Sequence, residues 1–235
     1  MFNSYTSGMP VYLPSELSID KERTVCITGH REKFIEPYKG DRQLTIFTIK
    51  KILERYIDLI IKKDYRIIIS GLASGTDLWA SDYILKKKRY INTLLIGAMP
   101  FLRHAEFFSG EDTEKLKFIE RFSDILLTTN DNPDITYGKK KSSECSPSLY
   151  RTRNFFMVDN SSVIIAFCND ISMKFSGTAQ TLRYAEKQNK IIIRFGMNDV
   201  FNLIDKAGTD PADIYSEIKK IRLNISGKKS KKSVT

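Results

Sequence analysis

The sequence predicts an α/β fold in which helices cover both faces of a mainly parallel sheet. Its apolar runs are continuous stretches of Val, Ile and Leu, such as Ile67-Ile68-Ile69, rather than alternations of apolar and polar residues. Continuous runs are typical of strands buried on both faces, as the strands of parallel sheets are. Amphipathic segments separate these runs, and strands that alternate with helices along a chain favour parallel connections.

Six short apolar runs define the predicted strands. The first is Thr24-Val25-Cys26-Ile27-Thr28, and the third ends at Met99-Pro100-Phe101. Short apolar runs bounded by turn-forming residues are consistent with buried strands. The predicted strands span residues 24–28, 67–69, 92–98, 124–128, 162–167 and 191–195.

The segments between the strands have helical periodicity. Between residues 41 and 63, apolar side chains such as Leu44, Ile52 and Ile60 recur at the spacing of one helix face. Near the C-terminus, Asp210-Pro211 suits the first turn of a helix, where proline is well tolerated. The predicted helices span residues 41–63, 78–88, 111–122, 150–160, 178–188 and 210–223.

The length of 235 residues suits one domain with additions, or at most two small domains. We expect an irregular N-terminal extension over residues 1–20 and one main domain over residues 21–197. Residues 129–149 are rich in polar residues and predict a long loop, which is uncommon unless functional or disordered. Residues 198–225 predict a helical extension, and residues 226–235 a basic disordered tail.

Composition excludes several classes of protein. No apolar run approaches the roughly 20 residues that span a bilayer, and no secretory signal is evident, so a cytoplasmic protein is expected. The three cysteines, Cys26, Cys145 and Cys168, are widely spaced and support neither a disulfide framework nor a zinc site. We predict no metal and no cofactor. The net charge of +10 favours anionic partners, although basic runs are often only solvated faces.

Three glycine-containing corners each follow a predicted strand or open a predicted helix. Ser70-Gly71-Leu72-Ala73-Ser74-Gly75-Thr76-Asp77 joins the second strand to the second helix. Thr28-Gly29-His30-Arg31 follows the first strand, and Ser176-Gly177-Thr178 opens the fifth helix. Ligands of open α/β sheets bind at the carboxyl ends of strands, where helix N-termini attract phosphate. The three corners therefore predict a site for a nucleotide or another phosphorylated ligand.

Two side chains near these corners, Asp77 and Arg153, are candidate catalytic residues. Asp77 lies in a first helical turn, where it either complements the helix dipole or binds ribose hydroxyls and stabilises positive charge on a sugar ring. Arg153 shares one helix face with Tyr150, Asn154 and Met157. Its guanidinium suits a phosphate or carboxylate, whether that of a ligand or that of a structural ion pair.

His30 is interpreted as a satisfied, non-catalytic residue, although it and Arg31 could reach the same crevice. The sequence contains no arrangement typical of a Ser-His-Asp triad, no P-loop and no Gly-x-Gly-x-x-Gly pattern. The chemistry of the predicted site therefore depends on Asp77, Arg153 and the glycine corners.

The set of motifs resembles the SLOG superfamily, which joins the DNA-processing protein DprA/Smf with the LOG phosphoribohydrolases. The small YpsA-like and YoqJ-like branch is the most similar. The resemblance covers residues 24–196 and includes Met99-Pro100-Phe101 and Arg153-Asn154-x-x-Met157. It implies a Rossmann-like three-layer sandwich that binds nucleotides or their derivatives. The predicted ligand-binding residues are Gly29, His30, Arg31, Ser70, Gly71, Ala73, Gly75, Thr76, Asp77, Pro100, Phe101, Arg153, Asn154, Ser176, Gly177 and Thr178.

The chain departs from the LOG pattern at the residues that the resemblance associates with cleavage. The two glutamates of LOG enzymes fall on Gln180 and Thr181 here, and residues around Ser172-Met173-Lys174 replace the Pro-Gly-Gly segment. A glycosidic reaction would therefore need Asp77 in place of the glutamate pair.

Three functions follow from these observations. The first is binding of a nucleotide-type small molecule, for sensing or sequestration. The second is a nucleotide N-glycosidase or phosphoribohydrolase-like activity that depends on Asp77. The third is DprA-like binding of single-stranded nucleic acid, which the net charge favours and which must weaken steeply with salt. Related folds often form dimers, so a homodimer is a further expectation, and no membrane partner is expected.

Overall fold

A computed structural model of the chain describes residues 2–106, 108–130 and 148–223. It contains a six-stranded parallel sheet with helices on both faces, which confirms the predicted fold class. Two short antiparallel strands, β1 (Phe2–Asn3) and β2 (Pro10–Val11), precede it. The strands of the large sheet are β3 (Thr24–Gly29), β4 (Ile67–Ser70), β5 (Leu94–Met99), β6 (Ile125–Thr128), β7 (Val163–Phe167) and β8 (Ile191–Phe195).

The order of the strands across the sheet is β6-β5-β4-β3-β7-β8. The chain moves outward from β3 through β4 and β5 to β6, then returns to the other side of β3 as β7. The strand order therefore reverses between β3 and β7, which is where open α/β sheets bind ligands. Parallel pairing of Gly29 with Phe167 and of Ile27 with Ser70 brings the carboxyl ends of three strands to one edge of the sheet.

Seven α-helices are described alongside the strands. They begin and end close to the predicted bounds, with one additional helix after β8. Their bounds are α1 (Arg42–Ile61), α2 (Thr76–Lys87), α3 (Gly110–Phe122), α4 (Ser148–Asp159), α5 (Gly177–Lys187), α6 (Met197–Ala207) and α7 (Pro211–Lys219).

Two hydrophobic cores lie on opposite faces of the sheet. Successive side chains of a strand point to opposite faces, so Val25 and Ile27 enter one core and Cys26 enters the other. The first core contains α1, α2, α3, α6 and α7, with Ile52 of α1 among its buried residues. The second contains α4 and α5, including Met157. Burial on both faces explains why the strands are continuous apolar runs.

The two ends of the described chain are more regular than the sequence indicates. In the N-terminal extension, Tyr12 N–H donates to Leu126 O at 2.8 Å, which adds the segment to the edge strand β6. Near the C-terminus, the guanidinium of Arg55 donates to the carbonyl oxygens of Lys219 and Ile221 at 2.9 and 2.7 Å. The end of α7 is therefore attached to α1, where a cation also complements the helix dipole.

The helix α6 divides the predicted C-terminal helical extension into two helices. Its buried residues Met197, Val200 and Ile204 lie on one face, and it ends at Gly208, whose φ is +86°. Glycine is favoured at such a helix end because it adopts positive φ without a Cβ penalty.

Some expectations fall outside the described residues. Most of the predicted loop over residues 129–149 and the basic tail over residues 226–235 belong to this group, as does Cys145. Within the described ranges, no helix is both long and apolar enough to cross a bilayer.

Candidate functional site

A cleft of 590 Å³ opens at the carboxyl ends of β3 and β7, where the strand order reverses. It is bounded by the loops after these strands, the corner between β4 and α2, and one face of α4. The predicted ligand-binding residues that line the cleft are Gly29, His30, Arg31, Ala73, Asp77, Arg153, Asn154, Ser176, Gly177 and Thr178.

The other predicted residues lie behind or beside the cleft. Ser70 supports the corner after β4, because its hydroxyl donates to Asp77 O at 3.2 Å and accepts from Leu72 N–H at 3.3 Å. Phe101 is buried and its ring meets Tyr150 edge-on, so it supports the wall that Tyr150 forms. The predicted residues outside the lining are Ser70, Gly71, Gly75, Thr76, Pro100 and Phe101.

Two glycines allow the corners after β3 and β4 to touch. The Thr76 hydroxyl donates to His30 O at 3.0 Å, and a Cβ on Gly29 would lie 2.6 Å from Thr76 Cβ and closer still to the hydroxyl oxygen. Gly75 has φ +88°, and a Cβ there would lie 2.7 Å from Glu32 N. These glycines thus hold two cleft-lining loops together.

Arg153 is a buried cation at the base of the cleft, with 6% of its surface exposed. Its Nη1 donates to Gly71 O, and its Nε donates to Asn154 Oδ1 at 2.8 Å. A Cβ on Gly71 would lie 2.7 Å from Asp77 Oδ2 and closer still to the guanidinium. Arg153 and Asp77 therefore converge on the same side of Gly71, where only a glycine leaves room.

Asp77 supplies a buried carboxylate beside that cation. It is 5% exposed, and Ala73 N–H donates to its Oδ2 at 3.4 Å. Burial raises the pKa of Asp77 to about 6, and the positive charge of Arg153 opposes the rise. A carboxyl group that titrates close to neutral pH and lines a cleft can both accept and donate a proton.

His30 forms a wall of the cleft and is held by its neighbours. Its Nε2 accepts a hydrogen bond from Asn169 N–H at 3.1 Å, and its ring meets Phe167 edge-on. Burial lowers the pKa of His30, so the imidazole is neutral at pH 7. These contacts pair one ring nitrogen and hold the ring against the end of β7. His104 is buried outside the cleft lining, and burial lowers its pKa to about 3.

The first turn of α5 contributes backbone donors. The Ser176 hydroxyl accepts from Ala179 N–H at 3.2 Å, which makes Ser176 the N-cap. Gly177 and Thr178 follow it and line the cleft, and backbone amides at the start of a helix have no intrahelical acceptor. They and the positive end of the helix dipole favour an anion.

Residues outside the predicted ligand-binding set also line the cleft. Asn169 follows β7, so the rule that ligands bind at the carboxyl ends of strands could have found it. The rings of Phe34 and Phe175 could not have been found in this way, because the exposure of a side chain cannot be read from the sequence. The additional lining residues are Thr28, Lys33, Phe34, Glu36, Tyr150, Asn169, Met173 and Phe175.

The acidic and sulfur-containing side chains do not assemble a metal centre in the part of the chain that the structure describes. There, no three His, Cys, Asp or Glu side chains come together as ligands for an ion. Cys26 and Cys168 are both buried, and burial raises the pKa of each thiol.

The fold and the cleft define a Rossmann-like α/β protein with a polar site at the switch point of its sheet. Residues 25–200 match the model of the YpsA family, which is described as the YspA SLOG family. The chain belongs to this YpsA SLOG family, and the resemblance inferred from its motifs is confirmed.

Individual proteins are also similar to this chain. The uncharacterized SPbeta prophage-derived protein YoqJ of Bacillus subtilis (strain 168) is 28% identical over 140 residues, which cover 58% of this chain and 79% of YoqJ. The structure of DNA processing protein A (DprA) from Streptococcus pneumoniae is similar with a TM-score of 0.50 and 15% identity. That similarity covers 83% of this chain but only 61% of the pneumococcal chain.

A second solved structure is DprA from Helicobacter pylori, whose description concerns its single-stranded DNA binding mode. It has a TM-score of 0.50 and 20% identity, and the similarity covers 85% of this chain and 80% of that chain. At these identities the two structures show a shared fold.

Proposed function

We propose that the cleft binds a nucleotide or a nucleotide-derived ligand, for sensing or sequestration. The observation that carries the proposal is the convergence of the first-turn amides of α5 with the basic side chains of Arg31 and Lys33 in one cleft. Backbone amides at a helix N-terminus and nearby cations are the usual partners of a phosphate group.

The remaining surface of the cleft suits the rest of a nucleotide. Asp77 and Asn154 offer acceptors and donors for ribose hydroxyls at the base of the cleft. The volume of 590 Å³ lies within the range of small-molecule sites in proteins. A carboxylate would repel phosphate, so Asp77 favours a sugar on its side and leaves the phosphate to α5.

A thermal-shift screen tests this proposal with AMP, ADP, ADP-ribose, cyclic dinucleotides and a short DNA single strand. A ligand at 100 times its Kd stabilises the protein by about 2.7 kcal/mol, which gives a clear rise in Tm. We expect Arg31→Ala to weaken binding of the best nucleotide by roughly ten-fold, because it removes a charge-assisted hydrogen bond.

Lys63→Ala is the matched control, since it removes an exposed cation at the end of α1, outside the cleft. It should leave the affinity unchanged. The proposal would be contradicted if no nucleotide of the panel raised the Tm of the wild-type protein. A salt-sensitive response to the single strand alone would favour nucleic-acid binding instead.

The buried carboxyl of Asp77 favours a second candidate function, hydrolysis of an N-glycosidic bond. Such a reaction breaks the bond between C1′ and the base, places the hydroxyl of water on C1′ and leaves the proton on the base. Its transition state carries positive charge on the sugar ring, which a nearby carboxylate stabilises. Asp77 lines the cleft and has a pKa of about 6, so it can provide that charge at neutral pH.

Release of free base from a nucleotide panel tests the second function. Asp77→Asn should lower the rate of base release by about 10²-fold or more, because it removes the negative charge that stabilises the sugar ring in the transition state. Circular dichroism and Tm of the variant establish that it is folded. Undiminished turnover in a folded Asp77→Asn variant, or no base release from any nucleotide, would rule the activity out.

A further inference from the structure

Two phenylalanine rings at the mouth of the cleft are exposed to solvent. Phe175 is fully exposed, at 103%, and Phe34 is 60% exposed, and both line the cleft. Small-molecule sites are usually lined by apolar and aromatic side chains that the ligand covers. Exposed rings in a cleft with charged walls therefore indicate a ligand with both a charged and a flat apolar part.

The position of Phe175 makes its exposure informative. It directly precedes Ser176, the N-cap of α5, and an apolar residue there often packs on the fourth residue of the helix. That fourth residue is Gln180, which is polar, and Phe175 remains fully exposed. Phe175 therefore does not stabilise the start of the helix in this way, and its ring stays accessible beside the first-turn amides.

Phe34 reaches the same cleft from the loop after β3, whereas Phe175 lies on the segment after β7. The backbone that carries Phe34 is held by Arg42, whose guanidinium donates to Glu32 O at 2.6 Å and to Ile35 O at 2.7 Å. Lys33 Nζ lies 5.0 Å from the centre of the Phe34 ring. A fixed backbone with an exposed ring is suited to a stacking contact, because little freedom is lost on binding.

We propose that Phe34 and Phe175 stack on the base of the bound nucleotide, so that the cleft binds a ligand with a nucleobase more tightly than a phosphosugar. This inference rests on the proposed function. The phosphate lies at the first turn of α5, directly after Phe175 in the chain. Stacking is tolerant of base identity because every base has a π-face, so the two rings select for the presence of a base.

Isothermal titration with AMP and with ribose 5-phosphate tests the inference on the full chain. Phe175→Ala should weaken AMP binding by about ten-fold, since stacking of one base is worth that much or more. The Phe175→Ala variant should bind ribose 5-phosphate as tightly as the wild-type protein does, because this compound has no base. Phe175→Tyr should retain the AMP affinity.

Phe122→Ala is the matched control, because Phe122 is 56% exposed on α3 and lies outside the cleft. It should change neither affinity. Equal AMP affinity of the wild-type protein and a Phe34→Ala/Phe175→Ala variant overturns the stacking inference while nucleotide binding stands. If AMP, the other nucleotides and ribose 5-phosphate all fail to bind, both the proposed function and the stacking inference are overturned.

Discussion

Replacing Arg153 with methionine is expected to lower the free energy of unfolding by about 3–5 kcal/mol at pH 7, partly because it removes the positive charge that favours the ionised form of the buried Asp77 side chain. The hydrogen bonds to Gly71 O and Asn154 Oδ1 are lost as well. For a chain of this length the Tm should fall by roughly 10 °C. Differential scanning calorimetry or urea unfolding measures the change.

Arg151→Met provides the control on the same helix, because Arg151 is exposed on α4. It should change the stability by less than about 0.5 kcal/mol. If both variants were equally stable, the charge of Arg153 would not be needed to stabilise the base of the cleft.

The cost of Arg153→Met should also increase with pH. In the wild-type protein, burial raises the pKa of Asp77 from 3.8 to about 6. Protonated Asp77 therefore contributes stability to the folded protein that is fully present below pH 3.8 and is lost as the pH rises through 6. Arg153 lowers this pKa, and its removal raises the pKa further and extends the decline above pH 6. The stability difference should therefore be larger at pH 8 than at pH 5.

Unfolding of both proteins at pH 5, 6, 7 and 8 measures this dependence. In an Asp77→Asn background, the titrating carboxyl is absent, and the effect of Arg153→Met should no longer increase over this range. A constant difference between the two proteins with Asp77 intact would contradict the coupling of these side chains.

Gly75→Ala is expected to destabilise the protein by at least about 1–3 kcal/mol through its backbone conformation alone. Gly75 has φ +88° and ψ −124°, a region that L side chains rarely adopt. An added Cβ would also lie 2.7 Å from Glu32 N and 2.9 Å from His30 O, and these backbone atoms cannot move aside without separating the two corners. We expect loss of nucleotide binding as well, because the loop that carries His30 and Arg31 would shift.

Gly110→Ala is the matched control, since a Cβ at Gly110 in the first turn of α3 would have no atom within 4 Å. It should be neutral or slightly stabilising, because alanine loses less conformational freedom than glycine in a helix. Chemical unfolding of the two variants compares the effects directly. A Gly75→Ala protein as stable as Gly110→Ala would show that the corner tolerates a side chain.

The position of the candidate site could be predicted because it depends on the carboxyl ends of parallel strands and on a few residue types. Gly29, Asp77 and Gly177 follow strands or open helices, and parallel strands bring their carboxyl ends to one edge of the sheet. Arg153 could be predicted from helical spacing, which places it with Asn154 on the face of α4 toward the cleft. These features could be predicted because they depend on residues that are close together in the sequence.

Other features could not be predicted because they depend on packing between distant segments. The glycine at position 29 accommodates Thr76, and the glycine at position 71 accommodates Asp77 and Arg153, which lies 82 residues further along the chain. Gly71 and Gly75 are among the predicted ligand-binding residues, whereas the structure places other protein atoms where their side chains would be.

The sequence by itself determined the fold class and the family, because continuous apolar runs and amphipathic helices need only local periodicity to be recognised. It also placed the glycine corners at the carboxyl ends of the strands. Only the tertiary structure decided which side chains are buried together at the base of the cleft and which rings remain exposed at its mouth. Burial, and with it the raised pKa of Asp77, arises from segments that meet only when the sheet is assembled.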